Sequence, residues 1–315
     1  MPFFPVPEYK LELFWALNPR PDQLVPTATP PSLSSHPVDP DLPVLVLCHA
    51  AGSNVLGWAG ILRDARLSSK YNILLVDAPF HGFSTADERT EHTLEDSANC
   101  IDHLQLQRFA VYGEGVHGAS TAVWLTIKRP EKITGLLIAS PGWRDEEASV
   151  KTSLVEVEQA IALNKPGEGG DDSGSLPAEA VEDILCYCIG SSKRMAEQRR
   201  KMGEYFEARY GAGKPAFELR LLFHFVYNRR PIPAEDLARV TCPVLILRGR
   251  DDKIVTPVSA CEEWQRAFTS AKGGANLVAV SSAPAIISLA EGGILSRLMA
   301  QFFATCTEPA GEAGA

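Results

Sequence analysis

The residues of this chain that could carry out nucleophilic or acid–base chemistry occupy unusual places. The segment 113–118 reads GEGVHG, and a sharp strand-to-helix turn of this kind serves to present a serine nucleophile at its third position. Gly115 stands there and has no side chain to attack a substrate. The last histidine along the chain is His224. The part of the chain after it therefore offers no imidazole to activate a nucleophile.

Asp252 and His117 are the ionisable residues best placed for catalysis. Asp252 follows an apolar run and a turn, which suits an acid that orients an imidazole, or equally a simple turn residue. His117 falls in the first turn of a predicted helix, where the helix dipole disfavours imidazolium and lowers the pKa of the ring. A neutral ring there would act as a base or a hydrogen-bond donor. The alternative is a surface pair between His117 and Glu114, three residues earlier.

The overall charge and the apolar pattern exclude several classes of partner. The formal net charge is −9 over 315 residues, so the chain lacks the basic surplus that would neutralise nucleic-acid phosphates. No apolar run approaches the roughly 18 residues that span a bilayer. The first ten residues, MPFFPVPEYK, lack the features of a secretory signal. We therefore expect no nucleic-acid partner, no membrane span and a cytoplasmic location.

The cysteines indicate neither a disulfide framework nor a metal centre. Seven cysteines are scattered without framework spacing, which is typical of reduced thiols in a cytosolic protein. Cys186 and Cys188 form half of a metal site at most, because no second pair of cysteines or histidines accompanies them. We expect buried thiols, no metal and no cofactor.

Short apolar runs bounded by turn residues predict the strands of a sheet. Near-continuous Val, Leu and Ile runs are typical of parallel strands that are buried on both faces. An earlier strand is predicted from Tyr9 to Leu17, within the proline-rich first 43 residues, because apolar residues alternate there. The predicted strands that follow are Val44–Cys48, Asn72–Asp77, Phe109–Tyr112, Gly135–Ser140, Pro243–Arg248 and, more weakly, Asn276–Val280.

Helical patterns separate these strands and identify the fold class. Thr93–Leu104 begins with an approximate capping box. Gly115–Arg129 is terminated by Pro130. Alternating strands and helices predict an α/β fold with a doubly wound, mostly parallel sheet.

One stretch interrupts this alternation. Between Arg144 and Arg239 the sequence contains amphipathic helical segments and no convincing strand. We predict that residues 144–239 form a helical cap inserted after the sixth strand of the fold. Residues 1–143 and 240–315 would then form the core.

Three motifs, in order along the chain, resemble those of a known superfamily. Residues 46–52 read VLCHAAG, like a strand followed by a His-Gly oxyanion loop. Residues 77–84 read DAPFHGFS, like the Asp-x-x-Gly-His-Gly-x-Ser stretch after the next strand. Residues 243–252 read PVLILRGRDD, like the strand and turn that deliver a catalytic acid. Together with the turn at 113–118, they resemble the capped α/β-hydrolases over essentially the whole chain outside the cap.

The resemblance assigns catalytic roles to positions whose side chains are not all suited to them. It implies that Gly115 stands at the position of the nucleophile and Asp252 at that of the acid. It implies that Ala285 stands at the position of the catalytic histidine, with Ile286 as the second choice. Without an imidazole, the acid has nothing to orient.

The resemblance also implies an oxyanion hole and a ligand pocket. The backbone N–H groups of Ala51 and Val116 would be the oxyanion donors, and backbone donors survive the loss of a serine side chain. Aromatic residues dominate the cap and the core loops, so we expect a mostly apolar cavity and a small hydrophobic molecule as partner. The predicted ligand-contacting residues are Ala50, Trp58, Phe80 and His224.

Three interpretations of function remain open at this point. In the first, the protein acts on a small apolar ester, lactone or acyl compound by lyase-, cyclase- or isomerase-like chemistry. In the second, it is a non-catalytic ligand-binding protein. In the third, it is an inactive or engineered serine hydrolase with Gly115 and Ala285 in place of Ser and His. Loss of a triad residue reduces turnover by roughly 10⁴- to 10⁶-fold, so ordinary Ser–His–Asp hydrolysis is not expected.

Overall fold

The computed structural model of the chain describes most of the sequence. The described residues are 3–7, 10–25, 37–85, 94–145, 148–163, 178–211, 219–222, 229–252 and 255–307. His224, a predicted ligand-contacting residue, lies outside these ranges.

Among the described residues, eight strands form one sheet in the order β1-β2-β4-β3-β5-β6-β7-β8. The first two pairings, β1 with β2 and β2 with β4, are antiparallel, and the remaining neighbours are parallel. The strands are β1 (Phe3–Val6), β2 (Leu11–Leu17), β3 (Val44–Cys48), β4 (Asn72–Val76), β5 (Phe109–Glu114), β6 (Ile133–Ala139), β7 (Val244–Gly249) and β8 (Ala275–Val280).

Helices cover both faces of the sheet because its central strands are apolar on both sides. On one face α3, α4, α8 and α9 pack against the sheet, and on the other α1, α2 and α10 do so. The helices are α1 (Ala59–Leu62), α2 (Ala65–Ser68), α3 (Leu94–Asp102), α4 (Gly115–Lys128), α5 (Ala148–Leu163), α6 (Ala178–Ile189), α7 (Ala196–Tyr210), α8 (Ala234–Leu237), α9 (Val258–Ala267) and α10 (Ile287–Thr307). No helix in the described ranges has both the length and the apolar character needed to cross a bilayer.

The helices α5, α6 and α7 lie between β6 and β7 in the sequence and contact the loops of the core. Arg209 Nε, on α7, donates to the carbonyl of Gly82 at 3.2 Å. The neighbouring Tyr210 donates its hydroxyl to the carbonyl of Phe80 at 3.3 Å. Two consecutive residues at the end of one helix thus join it to the loop after β4.

The predicted fold class is confirmed. All six strands predicted after residue 43 form, with ends that shift by one or two residues, and the earlier one begins at Leu11 instead of Tyr9. The prediction missed β1, whose sequence Phe3–Val6 includes Pro5. Proline cannot donate to a ladder but is tolerated at a sheet edge, and β1 is an edge strand. The boundary of the cap at residues 144 and 239 stays a prediction.

The turn after β4 requires glycine at one position. Gly82 adopts φ +54°, and a Cβ added there would overlap the carboxylate of the buried Asp77. Gly273 has a similar φ of +75°, but nothing lies within 4 Å of its added Cβ. A comparison of substitutions at these two glycines therefore separates the cost of backbone strain from the cost of steric overlap.

We expect Gly82→Ala to destabilise the protein much more than Gly273→Ala. Left-handed backbone costs an L-residue about 1–2 kcal/mol, which both variants incur. Overpacking adds about 1–3 kcal/mol, and only Gly82→Ala incurs this. Urea unfolding of the two variants and the parent measures the difference, and equal losses would show that the Asp77 contact does not constrain the turn.

Candidate functional site

The ends of three parallel strands bring the predicted catalytic positions to one edge of the sheet. Gly115 follows β5 and begins α4, Asp252 follows β7, and Ala285 follows β8. The Asp251 N–H donates to the Ala283 carbonyl at 3.0 Å, so the loops after β7 and β8 are bonded together. The loops after β7 and β8 therefore lie together at this edge of the sheet.

Gly115 adopts the left-handed backbone of a strand-to-helix turn. Its φ is +66°, a conformation that glycine adopts without strain. A Cβ added to Gly115 would lie 2.8 Å from the Cβ and 3.3 Å from the Cα of Ala50. The methyl group of Ala50 therefore packs into the space beside the position where a nucleophile side chain would begin.

Asp252 is held by the turn in which it stands. Its side chain is buried, with the residue only 5% exposed, and Oδ1 accepts from the Val255 N–H at 2.9 Å. The Arg248 guanidinium donates to the backbone carbonyls of Asp252 at 2.6 Å and Thr256 at 3.0 Å. These bonds shape the loop after β7 around the carboxylate.

Ala285 is buried beneath the helices that follow β6. The residue is 3% exposed, and the next residue, Ile286, donates its N–H to the carbonyl of Cys188 on α6 at 2.8 Å. Burial and the charge of Asp252 raise the pKa of the Cys188 thiol to about 12. A neutral thiol is a poor nucleophile, so Cys188 does not replace the missing groups.

Glu114, the residue before the turn glycine, joins the turn to the start of α10 by hydrogen bonds. Its carboxylate accepts from the Ser288 N–H at 2.9 Å and from the Ser288 hydroxyl. Burial raises the pKa of Glu114, and the bonds from Ser288 oppose that rise. A surface pair with His117 was the alternative expected from sequence, and it is wrong because both residues are buried. Nothing in the local sequence links Glu114 to Ser288.

Three histidines stack below the loop that follows β3. The ring centroids of His81 and His117 lie 4.9 Å apart, those of His49 and His81 5.1 Å apart, and those of His49 and His117 6.2 Å apart. All three residues are buried. The sequence placed each of them in a separate motif, and only the fold brings them together.

The hydrogen bonds of this stack suit neutral rings. His49 Nδ1 lies 2.8 Å from the Ala50 carbonyl, and His49 Nε2 accepts from the Ala78 N–H at 3.0 Å. Burial lowers the pKa of His49 to about 4 and that of His117 to about 3, and it lowers the pKa of His81 well below its ordinary value. Within the described residues, no group of three or more His, Cys, Asp or Glu side chains has the arrangement of a metal site.

The buried position of His117 bears on its predicted role as a base. The ring packs on the other two histidines, and the backbone of His49 acts to raise its pKa against the larger effect of burial. A base must reach within about 3 Å of the proton that it removes. In this structure His117 belongs to the packing beneath the turn, so we do not assign it to the reacting centre.

The predicted ligand-contacting residues lie mostly in packed surroundings. Trp58 is buried in the core, with its ring 5.6 Å from that of Tyr112. Phe80 is buried as well and has a positive φ of +64°. Ala51, a predicted oxyanion residue, packs against a cluster of buried residues from the cap region, while Val116 is buried. That cluster consists of Phe206, Tyr210, Leu219 and Leu222.

A cavity of about 530 Å³ opens beside the predicted acid. Its wall is mostly apolar and also carries charged and hydroxyl side chains. Arg194 in this wall donates to the Ser282 carbonyl at 2.7 Å and pairs with Glu291. The lining residues that bear polar side chains are Tyr187, Ser191, Ser192, Arg194, Asp251, Asp252 and Ser282, together with Cys186.

The sheet order and the loop arrangement define a known class. A family model of the alpha/beta hydrolase fold matches residues 43–283, which is well over half of the chain. The chain therefore belongs to the α/β-hydrolase fold family. A comparison with curated protein sequences found no match.

Solved structures with the same fold include several enzymes. MGS-M2, an α/β-hydrolase enzyme from a Medee basin deep-sea metagenome library, has a TM-score of 0.71 at 15% identity, covering 96% of this chain and 97% of that one. The enol-lactonase of Burkholderia xenovorans has a TM-score of 0.70 at 16% identity, covering 96% of this chain and 100% of that one. A thermophilic esterase of Thermogutta terrifontis has a TM-score of 0.67 at 15% identity, covering 94% of each chain. At such low identities the likeness shows a shared fold alone.

We expect the free energy of unfolding to decrease as the pH falls from about 6.5 towards 4. The three histidines stay neutral when folded but take up protons when unfolded, so stability present above their unfolded pKa is lost below it. Burial raises the pKa of Asp77 to about 7 and also raises the pKa of Glu114, and these two groups act in the opposite direction. The histidines outnumber them, so acid destabilises, by about 1.4 kcal/mol per pH unit for each net proton.

Urea unfolding at several pH values measures this slope. His117→Gln removes one titrating ring and should reduce the slope between pH 4 and 6.5 by about one proton. An unchanged slope in that variant, or a parent protein whose stability rises on acidification, would contradict neutral burial of the stack.

Proposed function

We propose that this protein binds a small ester-, lactone- or other acyl-type compound and does not hydrolyse it through a Ser–His–Asp triad. The observation that carries the proposal is the contact at the turn after β5. Gly115 offers no nucleophile, and the Ala50 methyl group packs where a side chain at 115 would begin. The fold supports the class of ligand, because an enol-lactonase and an esterase are among the proteins that share it.

Backbone donors would bind the acyl oxygen of such a compound. The N–H groups of Ala51 and Val116 are the proposed donors, one in the loop after β3 and one in the first turn of α4. The N-terminus of α4 adds the positive end of a helix dipole at the same place. Binding of a carbonyl or carboxylate oxygen needs only these groups.

Lyase-, cyclase- or isomerase-like conversion would in addition need a group that moves a proton. His117, the base expected from sequence, is buried in the histidine stack with its pKa lowered to about 3. Ala285 provides no ionisable group, and Asp252 is held in its own turn. The geometry therefore favours ligand binding over altered catalysis.

Ala50 also bears on the possibility of a disabled hydrolase. An engineered enzyme with serine and histidine truncated to Gly115 and Ala285 would still have room for both side chains. Here a Cβ at 115 would lie 2.8 Å from the Cβ of Ala50, a separation well below an ordinary carbon–carbon contact of about 3.5–4.0 Å. Both the backbone conformation of Gly115 and the position of the Ala50 methyl group favour glycine at 115. This disfavours an enzyme whose serine has simply been truncated to glycine.

We expect Gly115→Ser with Ala285→His to leave the protein inactive towards p-nitrophenyl esters. The serine would be displaced by Ala50, and a displacement of about 1 Å costs about 100-fold in rate. Adding Ala50→Gly should therefore raise hydrolysis by roughly that factor. The assay is ester turnover combined with labelling by a serine-reactive fluorophosphonate.

Ala50→Gly alone serves as the matched control and should remain inactive. If the double variant hydrolyses esters as fast as the triple variant, Ala50 does not obstruct the position, and a truncated hydrolase becomes the better interpretation.

For the parent protein, we expect saturable binding of a member of a panel of small esters and lactones, with the ligand recovered unchanged. Calorimetry measures the binding, and mass spectrometry of the recovered ligand measures conversion. Recovery of a converted ligand would show an enzyme of altered mechanism. Absence of saturable binding across the panel would contradict the proposal itself.

A further inference from the structure

A small cavity, separate from the one beside Asp252, lies between α3, α4 and the sheet. It leaves about 10 Å³ in which the centre of a water molecule fits. Nearly every residue around it is buried. The lining residues are Leu13, Cys48, His49, Val76, Ala78, Ser97, Ile101, His117 and Thr121.

Two hydroxyl groups in this wall have no hydrogen-bond partner in the part of the chain that the structure describes. Ser97 on α3 and Thr121 on α4 are each only 2% exposed, and neither Ser97 Oγ nor Thr121 Oγ1 forms a hydrogen bond within the described residues. A threonine in a helix usually can bond to the carbonyl four residues earlier. Thr126 does so, since its Oγ1 donates to the Ala122 carbonyl at 2.8 Å. The Thr121 hydroxyl lacks such a bond although it lies on the same helix.

The histidines in the wall cannot both satisfy these hydroxyls. His49 uses Nδ1 with the Ala50 carbonyl and Nε2 with the Ala78 N–H. His117 is also in the wall, and a neutral imidazole donates from one nitrogen and accepts at the other. The cavity therefore brings the hydroxyls of Ser97 and Thr121 together with the His117 ring, in a space large enough for one water molecule.

We propose that this cavity is a binding site for a single structural water molecule, held by Ser97 Oγ and Thr121 Oγ1 and in contact with His117. A buried water typically makes about three hydrogen bonds to polar groups that would otherwise be unsatisfied. An unsatisfied buried hydroxyl costs about as much as a lost hydrogen bond. The water removes that cost for two helices at once.

The site gives the water a structural role beneath the turn that begins α4. It joins α3 to α4 and places a hydrogen-bonding partner beside the stack of His49, His81 and His117. The inference does not depend on the proposed function, because it concerns packing below the sheet edge and not the ligand above it.

Replacement of the Thr121 hydroxyl distinguishes a hydrated cavity from a dry one by the sign of its effect. If the water is present, Thr121→Val removes one of its partners, and the unfolding midpoint falls. If the cavity is dry, the same change removes an unsatisfied polar group, and the midpoint rises. Thr126→Val is the matched control on the same helix, since its hydroxyl bonds within the helix and lies outside the cavity wall. We expect Thr121→Val to lower the midpoint more than Thr126→Val does.

The two hydroxyls should also be coupled through the shared water. Ser97→Ala and Thr121→Val should have a combined shift in midpoint that differs from the sum of the single shifts. Additive shifts together with a midpoint raised by Thr121→Val would overturn the proposal.

A crystal structure of the unaltered protein, at a resolution that shows ordered waters, provides a test that does not depend on how the variants fold. We expect a density peak within hydrogen-bonding distance of both Ser97 Oγ and Thr121 Oγ1. An empty cavity in that structure would overturn the proposal.

Discussion

One buried carboxylate holds together the loops at the carboxyl ends of the parallel strands. Asp77, at the end of β4, accepts from the Val55 N–H at 2.7 Å and from the Phe83 N–H at 2.9 Å, and it lies 3.8 Å from His49 Nε2. Burying such a group is unfavourable unless it is hydrogen-bonded. Because its donors belong to separate segments, satisfying Asp77 fixes those segments relative to the strand. Arg209 of the cap region contributes a charge that opposes the rise in the pKa of Asp77.

The turn after β5 depends on the same loops, since Ala50 follows directly from His49. The turn has a left-handed backbone at Gly115, and a Cβ added there would lie 2.8 Å from the Cβ of Ala50 in the neighbouring loop. In a close-packed interior even one methyl group constrains its neighbours. The loop after β3 and the turn after β5 therefore pack together in a way that suits glycine at position 115.

The histidines illustrate how residues common in catalysis serve packing here. Each ring is buried and packs against the others, and desolvation favours the neutral form of an imidazole. His117 stands where a Gly-x-Ser-x-Gly turn has its last glycine, and the next residue, Gly118, has no room for a Cβ beside the carbonyls of Cys48 and His49. The side chain at 117 therefore occupies the space under the turn together with Ser97 and Thr121.

The sequence by itself determined the fold class and the strands after residue 43, because apolar runs and turn motifs are local patterns. The catalytic roles of positions 115, 252 and 285 stay predictions. Tertiary structure decided the rest. The Glu114–Ser288 bonds, the histidine stack and the contact between Ala50 and Gly115 join residues whose separation in sequence carries no pattern. Whether a polar side chain acts on a ligand or completes the packing depends on burial and on its neighbours, and both exist only once the sheet has assembled.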